Sequence, residues 1–192
     1  MADLKIESAK TALVVIDLQR GIVASPAMPH SSAEVIGRAA RLAAALRSAG
    51  GTVVFVHVTP SPDGKDGLRP ITDATPFAGG SMPPDWAELV PELGIAASDI
   101  VITKRQWGAF YGTELDLQLR RRGVDTIVLC GISTSIGVES TARDAFERSY
   151  NQIFVEDAMA ARDPEEHRHT VETLFPRLGR VRSTAEVLAA IG

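Results

Sequence analysis

The sequence predicts an α/β protein, a three-layer α/β/α sandwich around a parallel sheet of about six strands. Three observations predict it. Four short runs rich in Val and Ile, at 12–16, 52–58, 100–103 and 126–130, do not alternate with polar residues, so these strands are buried on both faces. Amphipathic helical patterns fill the intervals, and strand–helix alternation means right-handed βαβ crossovers. The chain has 192 residues, 45% hydrophobic and 23% charged, which suits one domain spanning 1–192 with a large core.

The elements follow in order. After the first strand, Val35, Ala39, Leu42 and Leu46 recur at helical spacing over 32–49. Ser32 is the expected N-cap, and Gly50-Gly51 stops the helix. The second strand leads into a Pro/Gly-rich stretch over 60–84, long enough to serve as a lid or binding loop. A weak helical pattern covers 86–93. After the third strand, Leu115 and Leu119 share one face of a helix over 113–122, ended by Gly123. The fourth strand runs into a Gly/Ser/Thr elbow, Gly131 to Gly137, and a helix over 138–150 carrying Ala142, Ala145 and Phe146. Two weaker strands, 152–155 and 180–182, flank a helix over 165–178. Ser183 and Glu186 form a capping box for a last helix over 183–191.

Composition narrows the function. A net charge of −4 argues against a nucleic-acid partner held by a basic face. No apolar run reaches the roughly 18 residues that span a bilayer, and the first residues lack a signal peptide's apolar core. The single cysteine, Cys130, permits neither an internal disulfide nor a zinc cluster of cysteines. The reading is a soluble, cytoplasmic protein acting on a small molecule, with no cofactor, no nucleic acid and no membrane.

Ligands in open α/β sheets bind beyond the carboxyl ends of the strands. Asp17 follows LVVI there, half buried, a candidate general acid or base. Lys104 ends IVITK, where its ammonium could hold Asp17 ionised or bind an anion. The elbow turns backbone N–H groups toward a ligand at the start of a helix. Cys130, the last residue of its strand, reads as a buried core thiol. His167 and His169, two apart on a helix, point to different faces and make no metal pair, and His57 has no partner at metal spacing.

Together TALVVIDLQRGI, ITKRQWGAFYGTEL, VLCGISTSIGVESTARDAFERSY and VEDAMAA resemble the isochorismatase-like hydrolases, over nearly the whole chain. The resemblance implies a sheet order 3-2-1-4-5-6 and a homodimer or homotetramer. It also implies a cis peptide between Ile132 and Ser133. In most members an Asp, a Lys and a nucleophilic Cys form a triad; the first two match Asp17 and Lys104. The family's cysteine stands at the start of the helix after the fourth strand, where this chain has Gly137. Without a thiolate there, hydrolysis through a thioester is closed.

A branch of the family also lacks that cysteine and cleaves a vinyl ether, releasing pyruvate. By that resemblance Asp17 is the general acid, while Lys104 binds the substrate carboxylate and tunes Asp17. Gly137, Ser133 and Thr134 face the substrate, with Thr59 beside them. Trp107, Phe110 and Tyr111 are expected as pocket walls, and Arg69 as a carboxylate partner from the long loop. That branch carries a Tyr where Ser133 stands and a Gln near Thr59. The family's metal site lies after the second strand, where this chain has Val58, Thr59 and Pro60, so no metal is expected. The expected activity is acid-catalysed hydrolysis of a small carboxylated substrate. The alternatives are a catalytically silent relative that binds a small ligand or a protein partner, and a cysteine amidase using Cys130.

Overall fold

The computed structural model describes residues 4–73 and 82–191. Six parallel strands form one sheet, β1 (Thr11–Ile16), β2 (Thr52–Val58), β3 (Ile100–Lys104), β4 (Thr126–Ile132), β5 (Asn151–Ala160) and β6 (Arg180–Arg182). Their order is β3-β2-β1-β4-β5-β6, as the resemblance implies. The strand order reverses between β1 and β4, and the carboxyl ends on either side of such a switch point are where open α/β sheets form their ligand crevice.

Helices α1 (Arg20–Val23), α2 (Ser32–Ser48), α3 (Leu115–Arg121), α4 (Glu139–Glu147), α5 (Pro164–His169), α6 (Phe175–Leu178) and α7 (Thr184–Ile191) surround the sheet. Two cores result, one on each face. Val14, Ile16, Val56, Ile102, Leu115, Val138 and Phe154 belong to the first. Leu13, Val15, Phe55, Cys130 and the buried stripe of α2 (Val35, Ala39, Leu42, Ala43, Leu46) belong to the second. Alternate residues of β1 therefore serve opposite cores, which is why its sequence shows no polar alternation.

Several boundaries differ from expectation for local reasons. The N-cap of α2 is Ser31, one residue earlier than Ser32, because Ser31 and Glu34 close a capping box. Residues 86–93 are not a helix. Leu89 bridges to Gln19, and only one 3-10 turn, Pro91–Leu93, follows. The helix over 165–178 is interrupted by a π turn, Thr170–Leu174, before α6, where Pro176 has no N–H to give the preceding turn. The elbow is likewise a π turn, Thr134–Val138, feeding α4. Strand β5 continues five residues beyond the expected end. Its pairing with β4 slips, so that the step from Leu129 to Gly131 is matched by the step from Phe154 to Met159. That bulge throws Glu156 and Asp157 out of the ladder. Residues 74–81 of the expected long loop lie outside the described residues. Among the described residues, no helix is long and apolar enough to cross a membrane.

Candidate active site

Asp17 sits one residue past β1, with φ of 52°. Left-handed backbone is uncommon outside glycine and is tolerated best by short polar side chains such as Asp. The turn carries the carboxylate off the strand axis and across the crevice. Its N–H donates to Val56 O at 2.9 Å, which fixes it against β2.

Lys104 ends β3, two strands away, and its side chain runs back under the crevice to reach Asp17. The Nζ–Oδ2 distance is 2.8 Å, and Lys104 is 1% exposed and Asp17 6% exposed. Nζ also donates to Trp107 O at 2.5 Å. Burial pushes the Asp17 carboxyl up to about 6, and attraction to Lys104 pulls it partly back. Asp17 is therefore a carboxyl that holds or releases a proton near neutrality. Its Oδ1 is buried and makes no hydrogen bond among the described residues, so one oxygen is anchored and the other is free to act.

The third wall is Gly137. A Cβ there would lie 3.0 Å from Ile16 Cγ2, 3.1 Å from Asp17 Oδ2 and 3.2 Å from Lys104 Nζ. Position 137, where the resemblance puts the family's cysteine, thus faces both charged groups at contact distance and presents only backbone. The elbow reaches this position because Gly131, at φ of 123°, passes over β1 so closely that a Cβ would stand 2.1 Å from Ile16 O. The peptide between Ile132 and Ser133 is cis. Ile136 and Val138 N–H both donate back to Ser133 O, so these two are turned into the elbow itself.

The other expected residues separate into three groups. Ser133 stays at the crevice, its buried Oγ without a hydrogen-bond partner among the described residues. Thr59 lies beside Lys104, its N–H donating to Lys104 O at 3.2 Å, while its hydroxyl turns to Pro60 O. Trp107 and Tyr111 have exposed side chains, 60% and 77%, and it is the Trp107 carbonyl, not its ring, that meets Lys104. Three more have side chains engaged elsewhere. Phe110 is a core residue, its ring packed against Tyr150 at 5.9 Å, because the chain after Lys104 turns inward there. Thr134 is fully buried and spends its hydroxyl on His167 Nδ1 at 2.9 Å. Arg69 is exposed and donates to Gly64 O within its own loop.

Cys130 is sealed in the core under α2, on the opposite face of the sheet from Val138. Burial pushes its thiol up to about 12. It therefore offers no thiolate near neutrality.

Three supports were not read from the sequence. Gln19 clamps the ends of β1 and β2, accepting from Val58 N–H at 2.8 Å and donating to Val58 O and Trp86 O. Thr141 joins the elbow to the segment after Lys104. Its hydroxyl donates to Gly137 O at 2.7 Å and accepts from Ala109 N–H at 3.1 Å. His167 backs Thr134. Each of the three has a partner some thirty or more residues away, and local pattern carries no signal for such pairs.

A six-stranded parallel sheet of this order, with a buried Asp–Lys pair at the carboxyl ends of its strands, defines an α/β protein of the open, doubly wound kind, whose ligands bind at the switch point. The family model described as "Isochorismatase domain" matches residues 11–186. The isochorismatase family protein YwoC of Bacillus subtilis is 53% identical, over 100% of this chain and 99% of that one. The ureidoacrylate amidohydrolase RutB of Methylobacterium radiotolerans is 32% identical over 98% of this chain and 82% of its own length. The solved structure of an isochorismatase family protein from Burkholderia thailandensis superposes with a TM-score of 0.94 at 44% identity, covering 99% of both chains. The chain belongs to the isochorismatase family of hydrolases.

Proposed function

We propose that this family member hydrolyses a small carboxylated enol ether, of the isochorismate kind, by acid catalysis from Asp17 and without a cysteine nucleophile. One observation carries the reading. The Asp17–Lys104 pair is assembled at 2.8 Å and faces Gly137, where a thiol would have to stand.

The chemistry follows from the charges. Protonated Asp17 Oδ1 delivers its proton to the terminal carbon of the enol ether, and the adjacent carbon becomes oxocarbenium-like. Water adds to that carbon and returns a proton to the Asp17 carboxylate. The hemiketal then collapses, releasing pyruvate and the alcohol, so no covalent enzyme intermediate forms. A carboxyl near 6 suits the step, because a useful fraction is protonated at neutral pH while the conjugate base can still accept. Lys104, held by Trp107 O and Asp17, has a third N–H to place on the substrate carboxylate. Ser133 Oγ is a further donor at the crevice. The reading also carries an oligomer, dimer or tetramer, which light scattering reads directly.

The test is pyruvate release from isochorismate by wild type, Asp17→Asn and Cys130→Ala, with ureidoacrylate as the rival substrate. The expected result is turnover by wild type and Cys130→Ala, with a loss of roughly 10²–10⁴-fold in Asp17→Asn. Equal rates for wild type and Asp17→Asn would overturn the acid assignment. Turnover of ureidoacrylate that iodoacetamide abolishes would restore a cysteine mechanism. Ligands that raise the melting temperature without any turnover would replace the enzyme reading with a binding one.

A further inference from the structure

We propose that His30, Glu156 and His167 bind one divalent transition-metal ion of the zinc class, at a site that shares no side chain with the Asp17–Lys104 pair.

The donor atoms are already gathered. One ligand atom from each of the three residues lies within 4.8 Å of the other two. His30 Nε2 is 3.9 Å from Glu156 Oε2. Tetrahedral zinc with bonds near 2.0–2.1 Å sets its ligands about 3.3 Å apart, so small side-chain rotations complete the site.

Three separate elements supply these residues, and each is positioned by its own backbone. His30 precedes α2, and the segment before it is fastened to the end of β5 by a reciprocal pair of bonds between Met28 and Ala161, both 2.8 Å. Glu156 is turned out of the sheet by the bulge that displaces it from the β4 ladder. His167 lies on the buried side of α5. The His30 and His167 rings meet edge to face, with centroids 6.0 Å apart.

The bond behind His167 is of the kind that orients metal-binding histidines. Its Nδ1 is held by the Thr134 hydroxyl at 2.9 Å, which fixes the ring and leaves Nε2 for an ion. A partner on the second nitrogen is what orients imidazole ligands in metal sites. An ion pair between His30 and Glu156 would account for those two residues alone. It does not account for a second, buried histidine turned toward them and braced from behind.

The donor set selects the ion. Two imidazoles and one carboxylate suit Zn²⁺, Co²⁺ or Ni²⁺, whereas Mg²⁺ and Ca²⁺ take oxygen ligands. His30 and Glu156 are partly exposed, so the ion enters from solvent and keeps an open coordination position on that side. His167 closes the inner side. Thr134 opens the turn that carries Gly137, so an ion here would brace the elbow from outside the crevice.

The test is isothermal titration of chelator-stripped, tag-free protein with ZnCl₂ and, separately, MgCl₂. Wild type, His30→Ala, Glu156→Gln and the control His169→Ala are compared after circular dichroism shows each folded. The expected result is one Zn²⁺ per chain in wild type and His169→Ala, weakened roughly 10-fold or more in both cluster variants, with no Mg²⁺ binding. Since His30 and Glu156 are only half buried, both variants keep the fold. Absence of Zn²⁺ binding by wild type would overturn the site. So would equal affinity and stoichiometry in both cluster variants, or Mg²⁺ bound as tightly as Zn²⁺.

Discussion

Lys104 Nζ and Asp17 Oδ2 stand 2.8 Å apart at the carboxyl ends of β3 and β1, and both side chains are withdrawn from solvent. The two strands are separated by β2, so the pair is a long-range contact that the whole sheet order creates. Breaking a buried ion pair from one side leaves a charge without compensation, which costs about 3–5 kcal/mol. Lys104→Met alone should therefore destabilise by that order, and Asp17→Asn/Lys104→Met should recover most of it. Guanidinium denaturation of the four proteins measures the coupling. Additive losses would mean that the two groups do not act as a pair.

The Asp17 proton has a stability signature of definite sign. Its folded value, about 6, is above the ordinary carboxylate value of 3.8. Between about pH 4 and pH 6 the native state holds a proton that the unfolded chain releases. Asp17 therefore makes stability fall as pH rises through this window, and its contribution is flat above it. Urea midpoints of wild type minus Asp17→Asn should slope downward from pH 4 to 6. The same carboxyl predicts that hydrolysis slows as pH rises past about 6, because the acid form is lost.

Thr141 is predicted to hold the crevice together. Thr141→Val strips a donor from Gly137 O and an acceptor from Ala109 N–H, each left unpaired at about 1–3 kcal/mol. Thr141→Ser keeps both bonds and should restore most of the loss. Melting curves of the two variants decide it, and equal losses would assign the effect to packing of the methyl group instead.

Restoring a thiol is a separate probe of the crevice. In Gly137→Cys the new Cβ meets Ile16, Asp17 and Lys104 at 3.0–3.2 Å, so neighbours must give slightly, at about 1–3 kcal/mol. The thiol would sit beside the Lys104 ammonium, which favours thiolate. Intact-mass labelling by iodoacetamide at neutral pH should be fast in Gly137→Cys and negligible in wild type, whose only thiol is sealed. Equal labelling of both would place Cys130 within reach of reagent.

Strands were the most legible part of the sequence, because Val/Ile runs without polar alternation admit few other readings; β3, expected to be buried on both faces, is the exception, since it lies at the sheet edge and leaves Val101 and Thr103 exposed. The β2 and β6 bounds agree to the residue, since turn residues flank them. Asp17, Lys104 and Gly137 were legible as strand-end and elbow residues, and the structure brings them into contact. What escaped was set by pairing at a distance. Phe110 follows Lys104 in a run of aromatic residues, yet only the packing against Tyr150 reveals it as core. Thr134 shares a hydrogen bond with His167, thirty-three residues on, which the elbow's sequence alone does not reveal. His169 is the neighbour of His167 in sequence, while the residues that meet it in space are His30 and Glu156. The β5 bulge that delivers Glu156 leaves no mark in composition.

Isotope placement tests the central claim most directly. Wild type turning over isochorismate in D₂O, quenched before spontaneous exchange, is analysed by mass spectrometry of the pyruvate. Carbon protonation by Asp17 predicts one deuterium in the methyl group of each pyruvate released. Pyruvate whose methyl group carries no deuterium, or an enzyme that releases none, would contradict it.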